Sequence, residues 1–230
     1  MIKALTLDLD DTLWDIWATI ERAEQRLHDW LAERHPAIPQ AYTPLELREL
    51  TAAAAQRWPD LAHDRTQLRK KSFRLAAELT GSDNFCEHSA FEVFYAGRND
   101  VLFYPDALPS LARLSTQFPL LALTNGNADL NQVGIAHHFV AVLASGELGY
   151  GKPDPRMFHA ACEQLSLPAA AICHIGDDPE LDIAGAAAVG MRTVWINRNG
   201  RAFPPDLPAP DSEISSLAEL DTVLTRWTDG

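Results

Sequence analysis

The sequence predicts an α/β fold: a parallel sheet flanked by helices, with an all-helical segment inserted after the first strand. Three observations lead there. From residue 101 onward, short apolar runs alternate with helical patterns, the order that builds a parallel sheet with right-handed crossovers. Three of the apolar runs stop at clusters of carboxylate, hydroxyl or amide residues, where open α/β sheets gather their ligands. Residues 16–100 show helical periodicity and no convincing strand, a connection far too long for a loop and so a folded insertion. The expected division is 1–15 plus 101–230 for the sheet core and 16–100 for the helical part.

Residues 2–9, IKALTLDL, read as a short buried strand stopped by acids. A helix follows over 17–35, with Ile20, Ala23, Leu27, Trp30 and Leu31 on one stripe. Further helices are expected at 44–57, 66–80 and 88–97, separated by the breaker-rich stretches HPAIP, WPDL and TGSDN. After Phe103-Tyr104-Pro105 a helix at 106–116 precedes PLLALT (119–124), an apolar run suited to a strand buried on both faces. A short helix comes next, then a strand at 139–145, a helix at 155–166 and a strand in AAICHIGDD (170–178). An alanine-rich helix (180–189) leads to the strand RTVWIN (192–197), and a Pro-rich loop precedes a last helix near 216–227.

At 230 residues and 47% hydrophobic, the chain can bury a sizeable core. A formal net charge of −13 argues against a general nucleic-acid binder, which needs clustered Lys and Arg; a small anion needs only one local positive site. Cys86, Cys162 and Cys173 show neither pairing nor metal-ligand spacing, which fits a reduced compartment. With no signal-peptide pattern and no apolar run of the roughly 18–20 residues that span a bilayer, a soluble cytoplasmic protein without membrane partners is expected, as monomer or homodimer.

The stretch DLDDTLWD sets Asp8, Asp10, Asp11 and Asp15 close together. A bound metal, a shared proton or open solvent would each make that crowding tolerable. Convergence of Asp8, Asp10 and Asp177 would form a hard oxygen site suited to Mg²⁺. Lys152 would add a second cation, with Thr124 and Asn125 as hydrogen-bond donors to anionic oxygens. An EF-hand loop from Asp8 is excluded, because Leu13 stands at its turn-glycine position and Thr19 at its bidentate Glu position. A phospho-receiver domain would need a phosphorylatable Asp where Thr124-Asn125 stands.

The set Asp8-x-Asp10-x-Thr12, Thr124, Lys152 and Gly176-Asp177-x-x-x-x-Asp182, in this order, resembles the haloacid dehalogenase-like hydrolases across essentially the whole chain. The helical insertion resembles the C1 cap of one of their subclasses, on a Rossmann-like core. The resemblance implies that Asp8 is a nucleophile forming an aspartyl-phosphate and that Asp10 is general acid, then base. It implies that Thr124 holds the transferring phosphoryl group and that Lys152 offsets charge. It also implies Mg²⁺ bound by the Asp8 carboxylate, the Asp10 main-chain carbonyl and Asp177, with Asp182 behind them orienting Lys152 or metal-bound water. Asp10 favours a phosphatase over a haloacid dehalogenase, whose leaving group needs no proton. A phosphomutase keeps both acids and stays open, as does a non-catalytic phosphate-binding regulatory protein. More narrowly, TNGNAD, KPDPRMF, HIGDDPELDIAGA and GMRTVWIN are similar to bacterial phosphatases that act on flavin mononucleotide and on the ribitylaminouracil phosphate of riboflavin synthesis.

Of the remaining candidates, Asp11 should face away from Asp10, because adjacent side chains on an extended segment point oppositely. Asp15 is expected at a helix cap or hinge, Asp154 as the cap of the 155–166 helix, and Asp178 beside the metal as a lesser option. Trp14 and Trp17 are expected to line the substrate pocket, with Trp58, Phe85, Phe94 and Tyr95 in the helical core. Arg65 to Lys71 reads as a solvated helix face, and His137, His138 and His174 as structural histidines.

Overall fold

The computed structural model describes residues 1–228. Its sheet has six strands: β1 (Ala4–Leu7), β2 (Leu120–Thr124), β3 (Ala141–Ala144), β4 (Ile172–Gly176), β5 (Arg192–Ile196) and β6 (Ser212–Ile214). They lie in the order β3-β2-β1-β4-β5-β6, and every neighbouring pair is parallel. β1, β2 and β4 are buried at every position, as strands covered on both faces must be. The order reverses beside β1, so its carboxyl end opens onto the crevice where such sheets bind ligands. β6 lies outside the expected strands; three residues after a Pro-rich loop are too few for alternation to register.

The helices are α1 (Ile16–Arg34), α2 (Ala37–Ala41), α3 (Pro44–Arg57), α4 (Arg65–Leu79), α5 (Glu87–Arg98), α6 (Ala107–Leu114), α7 (Leu130–Val133), α8 (Ser145–Leu148), α9 (Pro155–Leu165), α10 (Gly185–Ala188) and α11 (Leu220–Thr228). α2 occupies the HPAIP stretch read as a break. Its prolines fall at the cap and first turn, where a missing N–H costs nothing. The helix expected at 180–189 is split into a π-helical turn, Pro179–Ala184, and α10. Asp154 caps α9 by accepting from the Arg156 amide at 2.9 Å.

Contacts divide the chain into two units. One comprises Met1–Asp15, Phe103–Gly126 and the chain from Gly134 on; the other comprises Ile16–Leu102 with Asn127–Val133. The last segment joins the helices through polar side chains that no periodicity announces. Asn127 donates to the Thr66 hydroxyl at 3.1 Å, and the Asp129 amide donates to Asn99 at 2.9 Å.

The helical unit has its own core, in which Ala23, Leu27 and Leu31 of α1 pack with Phe73 of α4 and Phe91 and Phe94 of α5. Phe85 is buried there and Tyr95 packs against it, but Trp58 does not join and lies under Arg57 and Lys71 instead. Glu24 is buried in this unit between two arginines, with Arg48 at 2.6 Å and Arg69 at 3.2 Å. Arg69, at the inner side of the supposed solvated face, is therefore a core partner. Trp17 is well exposed, with the Arg48 guanidinium 5.5 Å from its ring. Among the described residues, no helix is long and apolar enough to cross a membrane.

α1 and α5 meet at Gly97, where an added Cβ would lie 2.8 Å from the Ala23 Cα. Alanine there would gain about 1 kcal/mol of helix propensity. Overpacking against backbone costs roughly 1–3 kcal/mol, so the clash outweighs the gain. Gly97→Ala is therefore expected to lower the urea midpoint of unfolding; an unchanged or raised midpoint would contradict this packing.

Candidate active site

Strand pairing sets the first side chain. The Asp8 amide still donates to the Ile175 carbonyl at 2.9 Å, so β1 is held to β4 up to the point where the acids begin. Thr6 and Asp8, two residues apart, share a face of the strand. The Asp8 carboxylate is nearly buried, and Lys152 Nζ donates to its Oδ1 at 2.5 Å. The same ammonium donates to Asp182 Oδ1 at 2.6 Å. Asp182 also accepts from His174 Nε2 at 3.0 Å and, through Oδ2, from the Asp178 amide at 3.0 Å.

Behind this lies a fully buried pair. His174 Nδ1 is 2.8 Å from the Thr6 hydroxyl, and the two residues are register partners on β4 and β1. Burial pushes the His174 pKa down, with the Asp182 hydrogen bond opposing it. A neutral ring satisfies both contacts when Nε2–H faces Asp182 and Nδ1 accepts from Thr6. His174 is expected from the sequence as a structural histidine; its partner Thr6 carries no expectation there. The available signal was a polar residue at each register position of two otherwise apolar strands, since buried polar groups require partners.

Lys152 is positioned by Asn125. Its amide accepts from Lys152 N–H and donates to the Lys152 carbonyl, both at 2.8 Å. Gly151 permits this approach, because a Cβ there would stand 2.4 Å from Asn125 Oδ1. Gly176 does the same for Asp182, whose Cγ would lie 2.2 Å from an added Cβ. The Asn125 side chain is engaged by the lysine's backbone through Oδ1 and one Nδ2–H, and the expected substrate contact would use its second Nδ2–H. Thr124, at the end of β2, accepts from the Gly126 amide at 2.8 Å and keeps its hydroxyl proton available to a ligand.

Trp14 is corrected. It is fully buried, packed edge-on against Phe103 at 5.7 Å, and its indole N–H donates to Asp10 Oδ1 at 2.8 Å. It orients a carboxylate and offers no surface to a substrate. The DLDDTLW loop is tight, with Leu13 N–H donating to the Leu9 carbonyl at 2.8 Å and Asp11 N–H to the Trp14 carbonyl at 2.8 Å. Asp11 has φ of 58°, a left-handed conformation that Asp tolerates better than most residues. Asp178 accepts from the Glu180 and Leu181 amides at 2.9 and 2.8 Å, so it caps the following turn.

Carboxylate oxygens of Asp8, Asp177 and Asp182 come within 4.8 Å of one another, a set able to hold a metal ion. Asp182 already accepts three hydrogen bonds, which suits it to hold Lys152 behind the ligands rather than to be one. The Asp10 carboxylate is not in this set. Burial pushes the Asp8 pKa up to about 7, against the pull of Lys152, and burial together with Asp8 and Asp182 pushes Asp177 up to about 8. Asp182 stays well below the carboxylate range: burial works against it, but Lys152 and His174 prevail. Lys152 is raised because Asp182 and Asp8 outweigh its burial. Lys152 touches only Asp8 and Asp182, so with Asp177 ionised beside them the set carries negative charge in excess. Two like charges about 4 Å apart repel by roughly 4 kcal/mol at an effective dielectric of 20, and hard oxygen donors with that excess fit a divalent cation.

Comparisons with known proteins agree with this geometry. A family model described as haloacid dehalogenase-like hydrolase matches residues 2–190. The 5-amino-6-(5-phospho-D-ribitylamino)uracil phosphatase YigB of Escherichia coli is 34% identical, over 97% of this chain and 96% of its own length. The phosphoserine phosphatase of Thermus thermophilus is 31% identical, over 95% and 98%. A crystal structure of a 2-haloacid dehalogenase from Pseudomonas syringae matches with a TM-score of 0.89 and 40% identity, over 99% of this chain and all of the other.

Removing Lys152 would leave Asp8 and Asp182 buried without their cation, and breaking a buried pair in this way costs about 3–5 kcal/mol. Lys152→Met should therefore unfold at clearly lower urea, and adding Asp182→Asn should recover part of the loss. If the double variant is no more stable than the single one, the ion cluster is not the source.

Proposed function

The chain belongs to the haloacid dehalogenase-like hydrolases and is an enzyme of that family's phosphatase type; from that premise we propose that it is a Mg²⁺-dependent phosphomonoester hydrolase working through phosphorylated Asp8. The observation that supports this best is a buried Asp8 held by Lys152, with the oriented carboxylate of Asp10 two residues on. The Asp8 oxygen not held by Lys152 attacks phosphorus. The bond from phosphorus to the leaving oxygen breaks, and its electron pair takes the proton of Asp10, which must carry one at this step. Asp10, now a carboxylate, takes a proton from water as that water attacks the acyl phosphate. Phosphate departs and Asp8 is restored. Thr124 donates to a phosphoryl oxygen, and Lys152 offsets the charge that gathers between Asp8 and phosphate.

Asp8, Asp177 and the Asp10 carbonyl are the proposed ligands of Mg²⁺, which when bound neutralises their charge and that of the phosphoryl oxygens. The partition 1–15 plus 101–230 is proposed as the catalytic core and 16–100 as the C1 cap that selects the substrate. YigB, 34% identical at nearly full length, supports a riboflavin-pathway phosphate, with flavin mononucleotide as a second candidate. The unpaired cysteines support a reducing cytoplasm.

A second reading, dehalogenation, is favoured by the 40% identical dehalogenase structure. Halide leaves as a stable anion, so that chemistry gives no use to the carboxyl at Asp10. Phosphate release across sugar, nucleotide, amino-acid and flavin phosphates, against chloride release from 2-chloropropionate, separates the two. Chloride release without phosphate release would overturn the phosphatase proposal.

Asp8→Asn is expected to lose about 10³-fold or more in kcat and to give no acid-stable labelled enzyme with ³²P substrate. Asp10→Asn should slow hydrolysis of alkyl phosphates by about 10²–10⁴-fold, and p-nitrophenyl phosphate, with its better leaving group, by less. Turnover at the wild-type rate in either variant would remove that residue's role.

The acids also tie metal to stability. Asp8 and Asp177 hold their protons up to about pH 7 and 8 in the folded chain but lose them near 3.8 when unfolded. The folded state then binds more protons across that interval, so the metal-free fold loses stability as pH rises through it. Mg²⁺ needs both as carboxylates, so its stabilisation should grow over the same range. Melting temperatures with and without MgCl₂ from pH 5 to 8 should diverge upward; a constant gap would count against these ligands.

A further inference from the structure

The loop that follows β5 carries no role in the chemistry above, yet it reaches both acidic loops. Asn197 closes it, with Arg201 N–H donating to Asn197 Oδ1 at 2.9 Å and Asn197 Nδ2 donating to the Arg201 carbonyl at 2.8 Å. Gly200 makes the turn at φ of 63°. From this closed loop Arg201 donates to the Asp177 carbonyl at 3.0 Å, which also accepts from Trp195 Nε1 at 2.7 Å.

Arg198 points the other way. Its Nη2 and Nε donate to the Thr12 carbonyl at 2.7 and 3.2 Å. Its far edge meets Asp106 with Nη1 at 3.0 Å and Nη2 at 3.1 Å, and its plane lies 3.9 Å from the Tyr104 ring centroid. Asp106 is anchored in turn by the Leu217 amide at 2.7 Å and the Ser216 hydroxyl at 3.0 Å. Arg198 and Asp106 are largely buried, with 12% and 15% of their side chains exposed. A shielded, two-sided guanidinium with an aromatic face beneath it is a fixed point; an exposed surface pair is not.

Thr12 lies two residues beyond Asp10, inside the turn that Trp14 closes by donating to the Asp10 carboxylate. The chain from Arg198 through the Thr12 carbonyl to Asp10 is therefore short and made of directional bonds. We propose that Arg198 is a positioning residue for Asp10: backed by Asp106 and Tyr104, it clamps the Thr12 carbonyl and so fixes the carboxyl that protonates the leaving group. This rests on the acid role proposed for Asp10.

The test compares wild type, Arg198→Lys, Arg198→Met and Asp10→Asn on p-nitrophenyl phosphate and on an alkyl phosphate, with amide hydrogen exchange over Asp11 to Trp14. Lysine keeps the charge but cannot span Asp106 and Thr12 together. Both Arg198 variants should exchange faster at the Asp11 and Leu13 amides. They should lose about 10- to 100-fold more kcat on the alkyl phosphate than on p-nitrophenyl phosphate, because only the poor leaving group needs the placed proton. Lysine should retain more activity than methionine.

Unchanged exchange in both variants overturns the clamp whatever the activities. Faster exchange with equal losses on both substrates overturns the positioning role, since loosened structure alone slows the two alike. Asp10→Asn separates failures: if it too shows equal losses, the acid role is wrong, while the exchange data still judge the clamp.

Discussion

One ammonium, Lys152 Nζ, bridges two buried carboxylates, and the arrangement of the sheet core follows from keeping it there. Removing three charged groups from water costs several kcal/mol each, and the attraction among them repays this only when hydrogen bonds complete the geometry. Each partner is accordingly fixed from another direction. Asn125 grips the lysine's backbone, β4 holds the Asp8 amide, and Asp182 is gripped by His174 and the Asp178 amide. Two glycines, Gly151 and Gly176, mark where a side chain would push the partners apart.

The same cluster accounts for the division of labour between the acids. Asp182 lies on the cation side and stays ionised; Asp177, raised by burial and then by the neighbouring acids, lies off that cation. Equal residues thus acquire unequal chemistry from a few ångströms of placement. The helical unit has its own aromatic core and its own buried ion cluster at Glu24.

Much of this was legible in the sequence because it is local or periodic. The strand runs of β1, β2 and β4 and the long helices α1, α3, α4 and α5 carry their periods openly, and the acids at the strand ends carry a family's spacing. What stayed hidden depends on partners far away in the chain. Thr6 with His174, Asn125 with Lys152, and Arg198 with Thr12 are pairings between segments that nothing local connects. Trp14 belongs with them: an aromatic beside an acidic loop suggests a pocket wall until its indole N–H is seen bound to Asp10. β6 failed on length, and α2 on prolines that break helix interiors but suit a first turn.

β1 is a central strand of the sheet, and it is the first to be synthesised. Its neighbours β2 and β4 begin at Leu120 and Ile172, and the lysine that neutralises Asp8 lies 144 residues further along. While the chain grows, α1 to α5 are all made before β2, the first strand β1 can pair with, and only the Asn127–Val133 segment of the helical unit follows it. Contacts this distant in sequence are slow to form, and unpaired apolar strands are open to wrong pairing meanwhile. Asp8 sits at the end of that waiting strand. A charge flanking an unpaired apolar strand disfavours its association with another strand, so Asp8 at the end of β1 suits that interval too.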